Sequence, residues 1–96
     1  ITGGGLLENI PRVLPKHLAA NLDQNSWELP HIFKWLQSEG NIDTMEMYRV
    51  LNCGVGMVAI VPKASSDEAI NILKSCGENA WLIGEVIDSE GGQVLI

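Results

Sequence analysis

Cations are scarce in this sequence: six Lys and Arg stand against twelve Asp and Glu, for a formal net charge of −6. Such a surface has no basic stripe to meet a phosphate backbone, which excludes nucleic-acid binding from the expected functions. There are only two cysteines, Cys53 and Cys76, too few for a disulfide scaffold and without metal-ligand spacing. The two histidines, His17 and His31, fit neither a zinc pattern nor a catalytic triad. Long hydrophobic runs are missing too. The longest, residues 55–61 with Gly56 inside it, falls far short of the roughly 20 residues needed to cross a bilayer, and no basic segment precedes it. No membrane partner is expected, and a cytoplasmic location is the default. The length, 96 residues with 46% hydrophobic content, encloses one small core and excludes a multidomain machine within these residues.

The chain opens on Ile1-Thr2-Gly3-Gly4-Gly5 with no initiator Met, which reads as a piece of a longer protein whose lead-in lies upstream. Leu6, Ile10, Val13 and Leu14 then recur at helical spacing, with Pro11 dividing the stretch into two short turns and Pro15 ending it. Residues 16–26 are polar and aperiodic apart from Leu18 and Leu22, and read as a loop. A second helix is expected with Pro30 at its first position, an apolar stripe of Ile32, Phe33, Trp35 and Leu36, and Gly40 as its left-handed stop. Asp43 and Glu46 have capping-box spacing ahead of a third helix that carries Met47, Tyr48, Val50 and Leu51.

The period changes at residues 55–61, whose near-continuous apolar run between Gly54 and Pro62 predicts a strand buried on both faces. Ser65 and Glu68 open a fourth helix, which ends at Gly77. Residues 80–87 predict a strand with Trp81, Ile83 and Ile87 on one face, joined by a turn at residues 89–92 to a last strand at residues 93–96. The expected fold is α+β: N-terminal helices, then a β-α-β-β unit whose parallel crossover and terminal hairpin form a small mixed sheet covered by helices. One domain over residues 1–96 is expected.

The sharpest candidate site is Thr2, Gly3, Gly4 and Gly5 at the mouth of a helical turn. Glycines let the backbone approach a ligand and turn successive amides into one concavity, where a phosphate or carboxylate is held; Thr2 adds a hydroxyl. The plain alternative is a turn without a ligand, since the Lys and Ser/Thr of a full phosphate loop are absent. Arg12 and Lys16 could support an anion but also read as solvated side chains, and helix-dipole complementarity accounts for Glu8. In Asn52-Cys53-Gly54-Val55-Gly56 the glycines read as a structural close approach. Cys53 has no partnering base and is not assigned as a nucleophile. Trp27, Trp35 and Trp81 read as core or interface anchors. No catalytic or metal-binding residue is assigned.

Several strings together carry a resemblance. Ile1-Thr2-Gly3-Gly4-Gly5-Leu6-Leu7-Glu8-Asn9-Ile10-Pro11-Arg12-Val13-Leu14-Pro15, Ile32-Phe33-Lys34-Trp35-Leu36-Gln37, Glu46-Met47-Tyr48-Arg49, Asn52-Cys53-Gly54-Val55-Gly56-Met57 and Gly77-Glu78-Asn79-Ala80-Trp81 resemble the C-terminal end of phosphoribosylformylglycinamidine cyclo-ligases, also called aminoimidazole ribonucleotide synthetases. The resemblance covers the whole chain but only the last part of such an enzyme. It implies a purine-biosynthesis step in which ATP activates the formyl amide oxygen of formylglycinamidine ribonucleotide. A nitrogen then closes the imidazole ring, with release of ADP and phosphate. It further implies a cytosolic homodimer in which an N-terminal domain of the same polypeptide supplies the dimer interface and most of the nucleotide site. ATP and Mg2+ are then bound mainly outside these residues. Thr2, Gly3, Gly4 and Gly5 fall on the family's glycine-rich cleft edge, with the ribonucleotide's phosphate as the preferred occupant. The family's His just before the position of Ile1 lies outside the chain, so these residues alone are expected to be inactive. Two other classes compete: a stand-alone phosphometabolite-binding module, and a structural interaction domain whose Trp and Met faces dock on a partner.

Overall fold

The structure is a computed structural model that describes residues 1–96. Gly5–Asn9 form α1, which runs into a 3-10 turn, Ile10–Val13, where Pro11 removes a helical donor as its chemistry requires. Strand β1 follows at Leu18–Leu22, then α2 at His31–Gly40, α3 at Thr44–Val50, a 3-10 turn at Lys63–Ser65 that leads into α4 at Ser66–Ser75, and strands β2 at Gly84–Asp88 and β3 at Val94–Leu95. No helix is long and apolar enough to cross a membrane.

The fold is α+β, with four helices and one small mixed sheet, but its wiring differs from the expected β-α-β-β unit. The sheet order is β2-β1-β3. β1 pairs antiparallel with β2, Leu18 opposite Asp88 through Leu22 opposite Gly84, and parallel with β3, Ala20 opposite Val94. The expected terminal hairpin is therefore absent: β1, from the stretch read as a loop, lies between the last two strands. Its sequence Leu-Ala-Ala-Asn-Leu lacks the β-branched and aromatic residues that mark strands. Small side chains suit it all the same, because Ala19 and Ala20 are both buried at the centre of the sheet. Gly84 begins β2 because a Cβ there would run into the Asn21 carbonyl across the ladder.

The predicted strand at residues 55–61 does not pair either. Val55 is buried and Val58 packs on the core, but Met57, Ile60 and Val61 are exposed and the segment joins no ladder. Its apolar sequence is that of a doubly buried strand, yet only its inner side is covered.

The helix expectations fare better. α2 starts one residue later than expected, with Pro30 in the capping position, and its left-handed stop is Asn41 (φ 48°), not Gly40. Asn tolerates that conformation through local hydrogen bonding, and the Asn41 amide closes onto the Gln37 and Ser38 carbonyls. At α3, Asp43 accepts from the Met45 amide at 3.1 Å, but Glu46 turns to Arg49 at 3.5 Å, so the reciprocal arm of the box is not made. Ser65 makes no side-chain cap, whereas Gly77 (φ 88°) ends α4 as expected, with Glu78 N–H reaching the Leu73 carbonyl at 3.0 Å.

The core is a cluster of Leu6, Ile10, Ala20, Leu22, Met47, Tyr48, Cys53 and Val55, built where α1 and α3 meet the face of β1. Trp27 and Trp81 lean against it with ring centroids 6.2 Å apart, and Trp27 Nε1 donates to the Cys53 carbonyl at 3.0 Å. Trp35 is more than half exposed and anchors nothing within the chain.

Candidate functional site

The glycine segment begins as a turn in which the Gly5 amide donates to the Thr2 carbonyl at 3.0 Å. Gly4 (φ 100°) and Gly5 (φ 60°) both occupy the left-handed region that side chains resist. At Gly5 the requirement is doubled. A Cβ would collide with the Tyr48 and Leu51 carbonyl oxygens, so this glycine lets α1 sit directly on the backbone of α3. Gly5 is thus needed by the fold, and its amide is already engaged.

Asn9, to which the sequence reading gave no role, is the centre of the site. Its Nδ2 donates to the carbonyls of Thr2 at 3.1 Å, Gly3 at 3.3 Å and Gly5 at 2.8 Å. Its Oδ1 accepts from Thr2 Oγ1 at 3.1 Å and from Arg12 at 3.3 Å. In a trans peptide the N–H points opposite to the C=O. Drawing those three carbonyls onto Asn9 therefore turns the amides of Gly3, Gly4 and Leu6 away from it, and none of the three has a hydrogen-bond acceptor within the chain. Gly3 is exposed and Gly4 half-buried, so two of these donors sit on accessible backbone, while Leu6 is fully buried. No spacing rule marks Asn9; its one signal was its place in the glycine-rich string. The Thr2 hydroxyl gives its proton to Asn9, leaving its oxygen as an acceptor.

The local charges oppose one another. Arg12 is tethered to Asn9, while the Glu8 side chain lies against Gly4 closely enough that a Cβ there would meet it. The Glu8 carboxylate therefore works against any anion at Gly4, and the Arg12 guanidinium favours one.

The second glycine string lies alongside the first, since the Ile1 nitrogen donates to the Gly56 carbonyl at 2.6 Å. Here Cys53 (φ 54°) and Gly54 (φ 93°) turn the chain, with Asn52 Oδ1 accepting from the Gly54 amide at 2.9 Å. A Cβ on Gly54 would strike the Pro30 ring, which bears out the structural reading. Cys53 is fully buried with Sγ 3.4 Å from the Met47 carbonyl, and burial raises its pKa above the ordinary 9.0. It is a protonated core thiol, as the lack of a base suggested. Burial, with Cys53 as a smaller cause, also raises the Tyr48 phenol above 10.0.

Two clefts lie elsewhere. One, of about 330 Å³, is lined by Trp27, Trp81 and Pro30 among others, and its wall residues include Ser26 and Trp81, whose Oγ and Nε1 are buried without partners. The other, of about 260 Å³, is shallow and carries Asp23 and Glu85. No three His, Cys, Asp or Glu side chains converge as metal donors, so these residues do not by themselves build a magnesium site, and no step is derived through the metal.

The chain is thus a small α+β fold that presents an Asn-clamped glycine loop. A family model described as AIR synthase related protein, C-terminal domain, matches residues 1–96. The chain belongs to this family, a superfamily of ATP-using enzymes.

Proposed function

We propose that the chain is the C-terminal part of a phosphoribosylformylglycinamidine cyclo-ligase, which closes the imidazole ring of formylglycinamidine ribonucleotide at the expense of ATP. In this reading the enzyme is a cytoplasmic homodimer. ATP and Mg2+ are held mainly by its N-terminal domain, and the loop of Thr2, Gly3, Gly4 and Gly5 forms a substrate-facing edge. Family membership supports an ATP-using enzyme, and the resemblance carried by the glycine-rich string favours the particular reaction.

One observation carries the role of the loop: Asn9 gathers three carbonyls and thereby frees the amides of Gly3 and Gly4 on accessible backbone. Two unpaired amide donors on successive residues suit a phosphate oxygen, and Arg12 adds charge of the right sign. Gly5 contributes by shaping the loop, with its own amide spent on Thr2.

The test is an amide NMR titration of the 96-residue chain with a ribonucleoside monophosphate. Shifts at Gly3 and Gly4 that vanish in Asn9→Asp support the reading; an unmoved pair of amides overturns it. Glu8→Gln is expected to tighten binding by removing the opposing carboxylate. Because phosphoryl transfer requires ATP and metal to be positioned together, the chain alone is expected to release no ADP in a coupled assay.

A further inference from the structure

Apart from Asn41, Cys53 is the one non-glycine residue in the left-handed region, at φ 54°. A side chain there costs energy, and the conformation persists only where its surroundings hold it. Two bonds come from its own neighbours: the Gly54 amide donates to Asn52 Oδ1 at 2.9 Å, and the Val55 amide to the Asn52 carbonyl at 3.0 Å. A third comes from a distant segment. Trp27 Nε1 donates to the Cys53 carbonyl at 3.0 Å, across 26 positions of sequence.

This turn supports the platform on which the glycine loop rests. The buried Cys53 thiol donates to the Met47 carbonyl at 3.4 Å and lies 3.9 Å from the Leu51 carbonyl. The Leu51 carbonyl, with that of Tyr48, is also what a Cβ on Gly5 would strike. Moving Cys53 therefore moves the backbone against which Gly5 is packed. Gly5 in turn closes the loop through its amide on Thr2, and α1 carries Asn9, which gathers the loop carbonyls. Trp27 meets the same platform a second time, with its ring centroid 6.3 Å from that of Tyr48.

We propose that Trp27 is a positioning residue for the glycine loop: its indole N–H pins the left-handed Cys53 turn, the thiol of that turn holds the last carbonyls of α3, and those carbonyls fix where Gly5 lies. The consequence for ligand binding rests on the reading of the loop as a phosphate-binding edge. Trp27 acts through Cys53 and α3 and needs no contact with the ligand.

The test is amide exchange by NMR on the ligand-free chain. Trp27→Phe keeps a ring against Tyr48 and removes the N–H, and is expected to make the Gly5 amide exchange about fivefold faster. Ala19→Leu strains a buried position of β1 outside the cluster that holds Cys53, and is expected to leave the Gly5 amide unchanged. Cys53→Ala is the second variant. It should reproduce the effect of Trp27→Phe, and the double variant should exceed either single one by no more than about twofold, because both act through one turn. An unmoved Gly5 amide in Trp27→Phe overturns the proposal, as do equal accelerations in Trp27→Phe and Ala19→Leu or fully additive effects in the double variant. A titration with ribose 5-phosphate, which carries no aromatic ring, is read separately. Silence at Gly3 and Gly4 in the unaltered chain, with Gly5 exchange still sensitive to Trp27→Phe, upholds the positioning role and defeats the phosphate reading. Shifts at Gly3 and Gly4 with the same Kd in Trp27→Phe do the reverse.

Discussion

A single amide side chain organises the loop. Asn9 Nδ2 makes three hydrogen bonds to carbonyls, and no other residue type of that size donates and accepts in the same place. Asn9→Asp keeps the shape but sets a carboxylate against those carbonyls. It is expected to cost about 2 kcal/mol, a fall of roughly 10 °C in the thermal midpoint by calorimetry. Gly5→Ala is expected to cost about 3 kcal/mol or more, because it combines left-handed strain with a backbone collision that no rotamer relieves. Cys53 and Tyr48 impose a pH dependence. Burial raises both pKa values, so above pH 9.0 the unfolded chain loses a proton that the native chain keeps, and above 10.0 a second follows. Stability is therefore full below pH 9.0 and declines as pH rises through that range, as urea unfolding at a series of pH values should show. At this scale the sequence pointed to the glycines but not to Asn9, because its role depends on where three carbonyls converge in space.

Among the elements, the helices and the last two strands were legible, while β1 and the pairing of the sheet were not. Pro11, Asp43 and Gly77 act through their own backbone neighbours, so their effects can be read locally. β1 is made by partners more than sixty residues away, at Gly84–Asp88 and Val94–Leu95, and its alanines carry no strand signal of their own. The segment at residues 55–61 is the converse, a strong strand signal with no partner present. The same physics predicts opposite outcomes for two substitutions in β1. Ala19→Leu, at a position with no exposure, should cost about 1–3 kcal/mol through overpacking despite no loss of strand propensity. Asn21→Val, at an exposed position of the same strand, should be neutral or gain a few tenths of a kcal/mol. Denaturant midpoints of the two variants check the pair.

For the molecule as a whole, only ten of 96 residues are buried, and α4, Met57, Ile60 and Val61 lie outside that small core. The native chain is accordingly expected to enhance the fluorescence of an apolar dye at neutral pH without denaturant, and a chain that left the dye dark would contradict the exposed surface described here.

The placement of β1 between the strands nearest the C-terminus also bears on synthesis. Leu18–Leu22 leave the ribosome more than sixty residues ahead of either neighbour of that strand, so the sheet cannot zip up until Val94 has followed. Throughout that interval the nascent chain carries a central strand with two vacant sides, and a chaperone that masks it would serve folding more than any local propensity could.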